Sequence, residues 1–245
     1  LIIGSLAKIY LILNDGSVSL FAAVITIEAA VLATLYVLMY QRKGGGLNPF
    51  LAKSRVAFSL LRDSFPLLLS GAVILLYMRI DQIMISQLLP TTQLGLYSAA
   101  IKLTEATYMI PMIVSASFFP LLQKKYADVT HYRRVLGQLY AFLSWIAVSL
   151  ALLASLYAEE IVAITYGQQF SGSSDVLVIS IWASVPVCIG VVFSKHLLIE
   201  NRNMTFLARN AIGLSLNVAF NFMLIPIYGI LGAALSTLIS QVYVA

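Results

Sequence analysis

The feature that most constrains this chain is a series of apolar runs, most of them as long as a bilayer is thick. A helix needs about 20 apolar residues to cross a hydrocarbon core of roughly 30 Å. Charged residues make up only 10% of the sequence and the mean hydropathy is +0.93, whereas a soluble domain carries about 25% charged residues. The sequence therefore predicts an all-α, polytopic transmembrane helical bundle. Eight segments fit this pattern: 1–13, 18–40, 65–89, 94–122, 136–158, 176–198, 206–225 and 230–245.

Composition excludes several classes of site. The single cysteine, Cys188, rules out an intrachain disulfide and a cysteine metal cluster, and neither histidine has neighbours spaced for a metal site. We find no Ser/His/Asp arrangement, phosphate-binding glycine loop or redox motif, so we expect no enzyme activity, no metal and no cofactor. The net charge of +5 comes from basic residues scattered among short loops rather than gathered in one stripe, so we expect no nucleic-acid partner.

The loops predict an orientation. Alternate loops carry twelve Lys and Arg residues in one set and none in the other, and an excess of basic residues marks cytoplasmic loops. We therefore expect residues 41–64, 123–135 and 198–209 to be cytoplasmic. The twelve cations are Arg42, Lys43, Lys53, Arg55, Arg62, Lys124, Lys125, Arg133, Arg134, Lys195, Arg202 and Arg209.

The longest basic connection, residues 41–64, is the predicted boundary between two bundles. It contains three consecutive glycines and Pro49, which break a continuous helix. Its second half, SRVAFSLLRDSFP, suits either a short amphipathic surface helix or a plain linker. Because the first and last apolar segments are short and the chain does not start with Met, we expect it to be part of a longer protein.

Six charged residues lie inside the predicted spans, where charges are costly and mark pathways or paired sites. Counted from the outer helix ends, Asp81 and Lys102 lie about 12 Å deep, and Arg79 and Glu105 about 15 to 17 Å deep. Two antiparallel neighbours would thus hold opposite charges at matched depth. Either the charges are ion pairs that lock helices together, or they form one wall of a polar cavity that binds substrate or carries a coupling proton. We favour the second interpretation, and the candidate substrate-binding or coupling residues are Arg79, Asp81, Lys102, Glu105, Glu28 and Lys8.

Uncharged residues suggest two further roles. Pro111 lies inside the segment 94–122 and should bend it, either as a hinge or as static packing. Asn217 and Asn221 are four residues apart on one helix face, where amides can bond across helices, and Gly232 begins a stripe of small residues that allows close helix approach. We expect these three residues to serve helix packing.

Two stretches carry a family resemblance: RIDQIMISQLLPTTQLGLYSAAIKLTEATYMIPMIVSASFFPLLQK (79–124) and LNVAFNFMLIPIYGILGAALSTLIS (216–240). They resemble the polysaccharide-type (Wzx-like) oligosaccharide flippases of the multidrug/oligosaccharidyl-lipid/polysaccharide exporter superfamily. The resemblance implies a two-lobe transporter of twelve to fourteen helices. Residues 1–40 would then be the last two helices of the N-terminal lobe, 41–64 the inter-lobe loop, and 65–245 the C-terminal six-helix lobe.

The same resemblance implies a function. It is the movement of a polyprenyl-pyrophosphate-linked oligosaccharide across the bacterial plasma (inner) membrane by alternating access, for O-antigen, capsule or exopolysaccharide synthesis. Implied partners are the lipid-linked oligosaccharide, membrane lipids and the polysaccharide polymerase or export machinery. Two alternatives stay open. One is a multidrug cation antiporter of the same superfamily, and the other is a membrane-embedded polysaccharide polymerase.

Overall fold

Helices account for all the regular structure that can be described. The computed structural model describes residues 2–13, 17–42, 54–126 and 128–245. Two single 3₁₀ turns, Gln168–Phe170 and Ile181–Ala183, accompany the α-helices in these ranges. The α-helices are α1 (Ile2–Leu13), α2 (Val18–Arg42), α3 (Ser54–Tyr77), α4 (Ile80–Leu88), α5 (Thr91–Thr107), α6 (Met109–Lys125), α7 (Val129–Leu156), α8 (Ala158–Tyr166), α9 (Ser173–Ser180), α10 (Ser184–Ile199), α11 (Asn203–Tyr228) and α12 (Ile230–Val244).

Six helical stretches within the described ranges are long and apolar enough to cross a bilayer. Two of the eight predicted segments are shorter, since α1 has 12 residues and α12 has 15. Large apolar side chains such as Trp145 and Phe222 point outward, as lipid-facing residues do. The predicted all-α, polytopic class is confirmed, and the protein is a multi-pass membrane protein. The six stretches are Ser19–Arg42, Phe58–Leu88, Thr91–Lys124, Val129–Leu156, Ser173–Ile199 and Asn203–Tyr228.

The chain divides into two compact units, Leu1–Leu60 and Leu61–Ala245. Within the predicted inter-lobe loop, residues 43–53 lie outside the described residues. The rest is helical rather than loop, because α2 continues to Arg42 and α3 begins at Ser54. The stretch predicted as a short surface helix or a linker is instead the first half of α3, a helix of 24 residues that continues into an apolar span. The assignment of these parts to lobes stays a prediction.

The other connections are shorter than the sequence suggests. Helix α6 is separated from α7 only by residues 126–128, where the Asp128 carboxylate accepts a hydrogen bond from the His131 backbone N–H and caps α7. Helices α10 and α11 are separated by residues 200–202. Most of the predicted loops 123–135 and 198–209 is therefore helical, because charged side chains at helix ends reach water without leaving the helix.

Two predicted spans are interrupted by turns, and a third, 176–198, contains the 3₁₀ turn Ile181–Ala183 between α9 and α10. Met78 and Arg79 form a turn between α3 and α4, in which the Arg79 N–H donates to the Leu76 carbonyl at 3.0 Å instead of continuing the helical pattern. The segment 94–122 is divided into α5 and α6 at Tyr108.

Pro111 explains the second interruption. Helix α5 ends at Thr107, four residues before Pro111, and this is the residue whose carbonyl a proline ring crowds. Pro111 is thereby the third residue of α6, where a backbone N–H has no partner within the helix. The predicted bend is a break between two helices, and the hinge role stays a prediction.

The second unit has two apolar cores. One surrounds Ile85, Tyr97 and Ile181, next to the connections after α4 and α7. The other surrounds Leu122 and Leu143 towards the opposite end of the helices. The first core lies beside a buried polar network described next.

Candidate functional site

Asp81 is a buried carboxylate in the first turn of α4, with 6% of the residue exposed. Its Oδ1 accepts a hydrogen bond from Asn221 Nδ2 of α11 at 2.6 Å. Its Oδ2 accepts one from the Tyr97 hydroxyl of α5 at 2.8 Å and another from the Thr237 hydroxyl of α12. Three helices therefore converge on one carboxylate through neutral donors.

The network continues through the second asparagine of α11. Asn221 Nδ2 also donates to Asn217 Oδ1 at 3.1 Å, and Asn217 Nδ2 donates to Ser240 Oγ of α12 at 3.3 Å. The Tyr77 hydroxyl donates to the same Ser240 oxygen at 2.8 Å. The cross-helix hydrogen bonds expected of Asn217 and Asn221 are present, and one of them reaches the candidate coupling residue Asp81.

Close packing of α11 against α12 holds this network together. A Cβ at Gly232 would overlap the backbone carbonyl of Leu224, so only glycine fits there without a backbone shift. The expected close approach at Gly232 is present. It brings Thr237 and Ser240 of α12 within hydrogen-bonding distance of Asn217.

The expected facing of Asp81 and Lys102 is absent. In the part of the chain that the structure describes, no Lys, Arg or His nitrogen forms an ion pair with Asp81. Asp81 is buried in the first turn of α4, whereas Arg79 lies in the turn before α4 and its side chain is partly exposed.

Arg79 instead pairs with Glu105, at 3.2 Å between Nη1 and Oε1. Lys102 lies one turn before Glu105 on α5 and approaches it at 3.9 Å. The side chains of Arg79 and Lys102 are 43% and 60% exposed. These three residues tie the α3–α4 turn to the end of α5, and they are separate from the buried carboxylate. The pairing of Arg79 with Glu105 expected from their matched depth is therefore present, whereas Asp81 does not pair with Lys102. A role of these charges in substrate binding or coupling stays a prediction.

The remaining two candidates lie in the first unit. Lys8 Nζ of α1 is 2.8 Å from Glu28 Oε2 of α2, and both side chains are partly buried. A Cβ at Gly4 would collide with the Glu28 carboxylate. The pair fixes α1 against α2, and a role in transport stays a prediction.

Sequence reasoning missed Arg209, which counted as a loop cation. The structure places it in α11, six residues after the helix begins, or roughly 9 Å along its axis. Arg209 is one of the residues that line a cavity of about 470 Å³. The guanidinium Nη2 donates to Ser194 Oγ at 2.8 Å and to the Gly190 carbonyl at 3.3 Å. The helix-forming run that begins at Asn203 could have indicated that Arg209 lies within a helix rather than in a loop.

Oxygen atoms make up most of the buried network. Carboxylate, amide and hydroxyl oxygens of Asp81, Asn217, Asn221 and Thr237 lie together, and Asn221 Oδ1 is buried without a donor among the described residues. Oxygens of this kind hold a proton or a hard cation. No group of three or more His, Cys, Asp and Glu side chains suited to a metal occurs in the described ranges.

Fold and network together define a multi-pass helical membrane protein with a buried acidic site at an interrupted helix. Residues 1–175 match the family described as "Polysaccharide biosynthesis protein", and the chain belongs to that family. This match confirms the resemblance seen in the sequence at the level of a polysaccharide-synthesis family. It includes Asp81, while Arg209 and α12 lie beyond it.

One curated relative is the "Capsular polysaccharide biosynthesis protein CapF" of Staphylococcus aureus. It is 24% identical over 196 residues, which cover 79% of this chain and 49% of the relative. The chain thus spans about half the length of the curated relative it matches. No solved structure matches the chain.

Proposed function

We propose that the protein acts in surface polysaccharide biosynthesis as a flippase and not as an enzyme. It moves an oligosaccharide linked to a polyprenyl diphosphate from the inner to the outer face of the bacterial plasma membrane. Membership of the polysaccharide biosynthesis family and the similarity to a capsular relative support the process. Loops 41–64, 123–135 and 198–209 face the cytoplasm in this proposal, and polysaccharide polymerase and export proteins are its partners.

The observation that carries the transport proposal is the buried Asp81 beside the α3–α4 turn. Transporters place substrate and coupling-ion sites at interrupted helices, where side chains and unwound backbone meet inside the protein. A charge at the centre of a span costs about 2.5 to 3.5 kcal/mol on insertion scales, so an unpaired carboxylate is expensive to keep for packing alone.

In the mechanism we propose, Asp81 is the coupling residue. When it is ionised, the donors of Tyr97, Asn221 and Thr237 all point at its oxygens and hold α4, α5, α11 and α12 together. A proton or cation on the carboxylate removes the charge that these donors stabilise. The helices can then separate at lower cost, which lets the site open to the other side.

A multidrug cation antiporter has one observation in its favour, because the buried network is acidic and contains no cation in the described residues. The cavity beside Arg209 argues against it, since Lys195 and Arg209 both line its wall. Two cations there repel a lipophilic cation and attract an anion. Ethidium accumulation in cells with and without the protein tests this alternative.

A complementation experiment tests the flippase against the polymerase. A bacterium without its own flippase receives the full-length protein, and lipid-linked repeat units are located in sealed spheroplasts with an added glycosidase. We expect units to become cleavable from outside only when the protein is present. If the units stay inaccessible with the protein present, and the protein instead restores polymer length in a host that lacks its own polymerase, the protein is a polymerase.

A further inference from the structure

Tyr77 is the last residue of α3 and Asp81 lies in the first turn of α4, so the two buried residues flank the turn between these helices. The Tyr77 hydroxyl donates to Ser240 Oγ of α12 at 2.8 Å. Asp81 Oδ2 accepts a hydrogen bond from the Thr237 hydroxyl of the same helix. Because Thr237 and Ser240 are three residues apart, they share one face of α12. Both sides of the α3–α4 turn are therefore attached to a single helix face.

Hydrogen bonds through α11 connect the same two attachments. Asn217 Nδ2 donates to Ser240 Oγ at 3.3 Å, and Asn221 Nδ2 donates both to Asn217 Oδ1 at 3.1 Å and to Asp81 Oδ1 at 2.6 Å. With the backbone of the turn, these contacts close a hydrogen-bonded ring through Tyr77, Ser240, Asn217, Asn221 and Asp81. All five residues are buried, so a contact that breaks is not simply replaced by one to water. A displacement on one side of the turn is consequently transmitted around the ring to the other side.

The α3–α4 turn also forms part of a cavity wall. Tyr77 and Met78 line the cavity beside Arg209, together with apolar residues of α10 such as Val191. The volume of this cavity is about 470 Å³, which is enough for a small molecule or for part of a larger one. Tyr77 thus belongs both to the cavity wall and to the hydrogen-bonded ring that contains the buried carboxylate.

We propose that Tyr77 is a positioning residue for Asp81. Its bond to Ser240 fixes the α3 side of the turn, and the carboxylate on the α4 side thereby stays aligned with the donors of Asn221 and Thr237. A molecule in the cavity that displaces Tyr77 disturbs this alignment, and by linkage a change of charge on Asp81 alters the cavity wall at Tyr77. The use of this link to couple transport to an ion rests on the proposed function. The link between Tyr77 and Asp81 itself rests only on the hydrogen-bonded ring.

Chemical modification of Asp81 in the purified full-length protein in detergent tests the proposal. Dicyclohexylcarbodiimide attacks protonated carboxyl groups, so it labels Asp81 faster when fewer donors stabilise the charged form. Mass spectrometry of the peptide that contains Asp81 gives the labelling rate. Tyr77→Phe removes only the hydroxyl, and we expect it to raise this rate by about three- to tenfold. The matched control is Tyr108→Phe, which should change the rate less than about twofold, because Tyr108 lines the same cavity but is not part of the hydrogen-bonded ring.

A second variant breaks the ring at the next residue. Ser240→Ala removes the bonds of both Tyr77 and Asn217, so it should raise the labelling rate at least as much as Tyr77→Phe does. The double variant Tyr77→Phe/Ser240→Ala should label no faster than Ser240→Ala alone, because both changes open the same ring. Ser236→Ala is the control for this position, since the Ser236 hydroxyl donates to a backbone carbonyl of its own helix.

Three results would overturn the proposal. They are an unchanged labelling rate in Tyr77→Phe, an equal rise in Tyr108→Phe or Ser236→Ala, and a double variant whose rise is the product of the two single rises. The last result would mean that Tyr77 and Ser240 act on Asp81 independently. Because no transport is measured, failure here is distinct from failure of the flippase proposal.

Discussion

Asn221 Nδ2 lies 2.6 Å from Asp81 Oδ1 and joins two residues 140 positions apart in the chain. The same nitrogen donates to Asn217 Oδ1, so one amide group serves both a carboxylate and its neighbour on α11. Hydrogen bonds to charged groups are worth about 1.5 to 3 kcal/mol, roughly twice those between neutral groups. Variants at this contact can therefore distinguish a role of Asp81 in stability from a role in transport.

Replacement of the carboxylate should abolish coupling without unfolding the protein. Asp81→Asn keeps the shape of the side chain but cannot ionise, and we expect polysaccharide export to fall by at least about tenfold at normal membrane levels. Asp81→Glu retains the charge and serves as the control. Normal export by Asp81→Asn would assign the carboxylate to helix packing and would move the coupling site elsewhere.

Loss of the Asn221 amide should lower the stability of the protein. Asn221→Ala removes a donor from a buried carboxylate, which costs about 1 to 3 kcal/mol and should lower the melting temperature in detergent. Asn210→Ala is the matched control, because the Asn210 side chain bonds only the Phe206 carbonyl of its own helix among the contacts described. Equal melting temperatures for the two variants would mean that Asn221 contributes nothing to Asp81.

One added methyl group should test the α11–α12 contact. Gly232→Ala forces a Cβ onto the Leu224 carbonyl, and overpacking of this kind costs about 1 to 3 kcal/mol. Gly137→Ala in α7 has no atom within 4 Å of the new Cβ. It should stabilise its helix by up to about 1 kcal/mol, because alanine forms helices better than glycine. Thermal melting of both variants gives opposite signs if the close approach is as described.

Charge swaps distinguish the Arg79–Glu105 ion pair from the buried Asp81. The double variant Arg79→Glu/Glu105→Arg restores the ion pair, so it should recover part of the thermal stability that either single variant loses. Recovery is partial because the reversed charge at position 105 also meets Lys102. The expected interaction free energy of the Arg79–Glu105 pair in this double-mutant cycle is about 0.5 to 1 kcal/mol, because Arg79 is partly exposed. The double variant Asp81→Lys/Lys102→Asp should not recover export, since these side chains do not pair. Recovery by the second swap would place Asp81 against Lys102 during transport.

The sequence by itself determined the class of the protein. Long apolar runs require helices, because every backbone N–H and C=O in hydrocarbon must find a partner within its own segment. The i, i+4 spacing of Asn217 and Asn221 predicted their shared face, and Gly232 predicted a close helix contact. Pro111 predicted the interruption near Tyr108, because proline lacks the donor that a continuous helix needs.

Only the tertiary structure decided which charge faces which partner. In a span, the side that packs against protein and the side that meets lipid are both apolar, so hydropathy carries no signal for the rotation of a helix about its axis. The estimated depths matched Arg79 with Glu105, and these two residues do pair. They also matched Asp81 with Lys102, whereas Asp81 bonds Tyr97, Asn221 and Thr237. The position of Arg209 within the bundle was not predicted for the same reason. From the sequence, a cation near a helix end looks like a loop residue, and only the structure shows that Arg209 lies within α11 and lines a cavity.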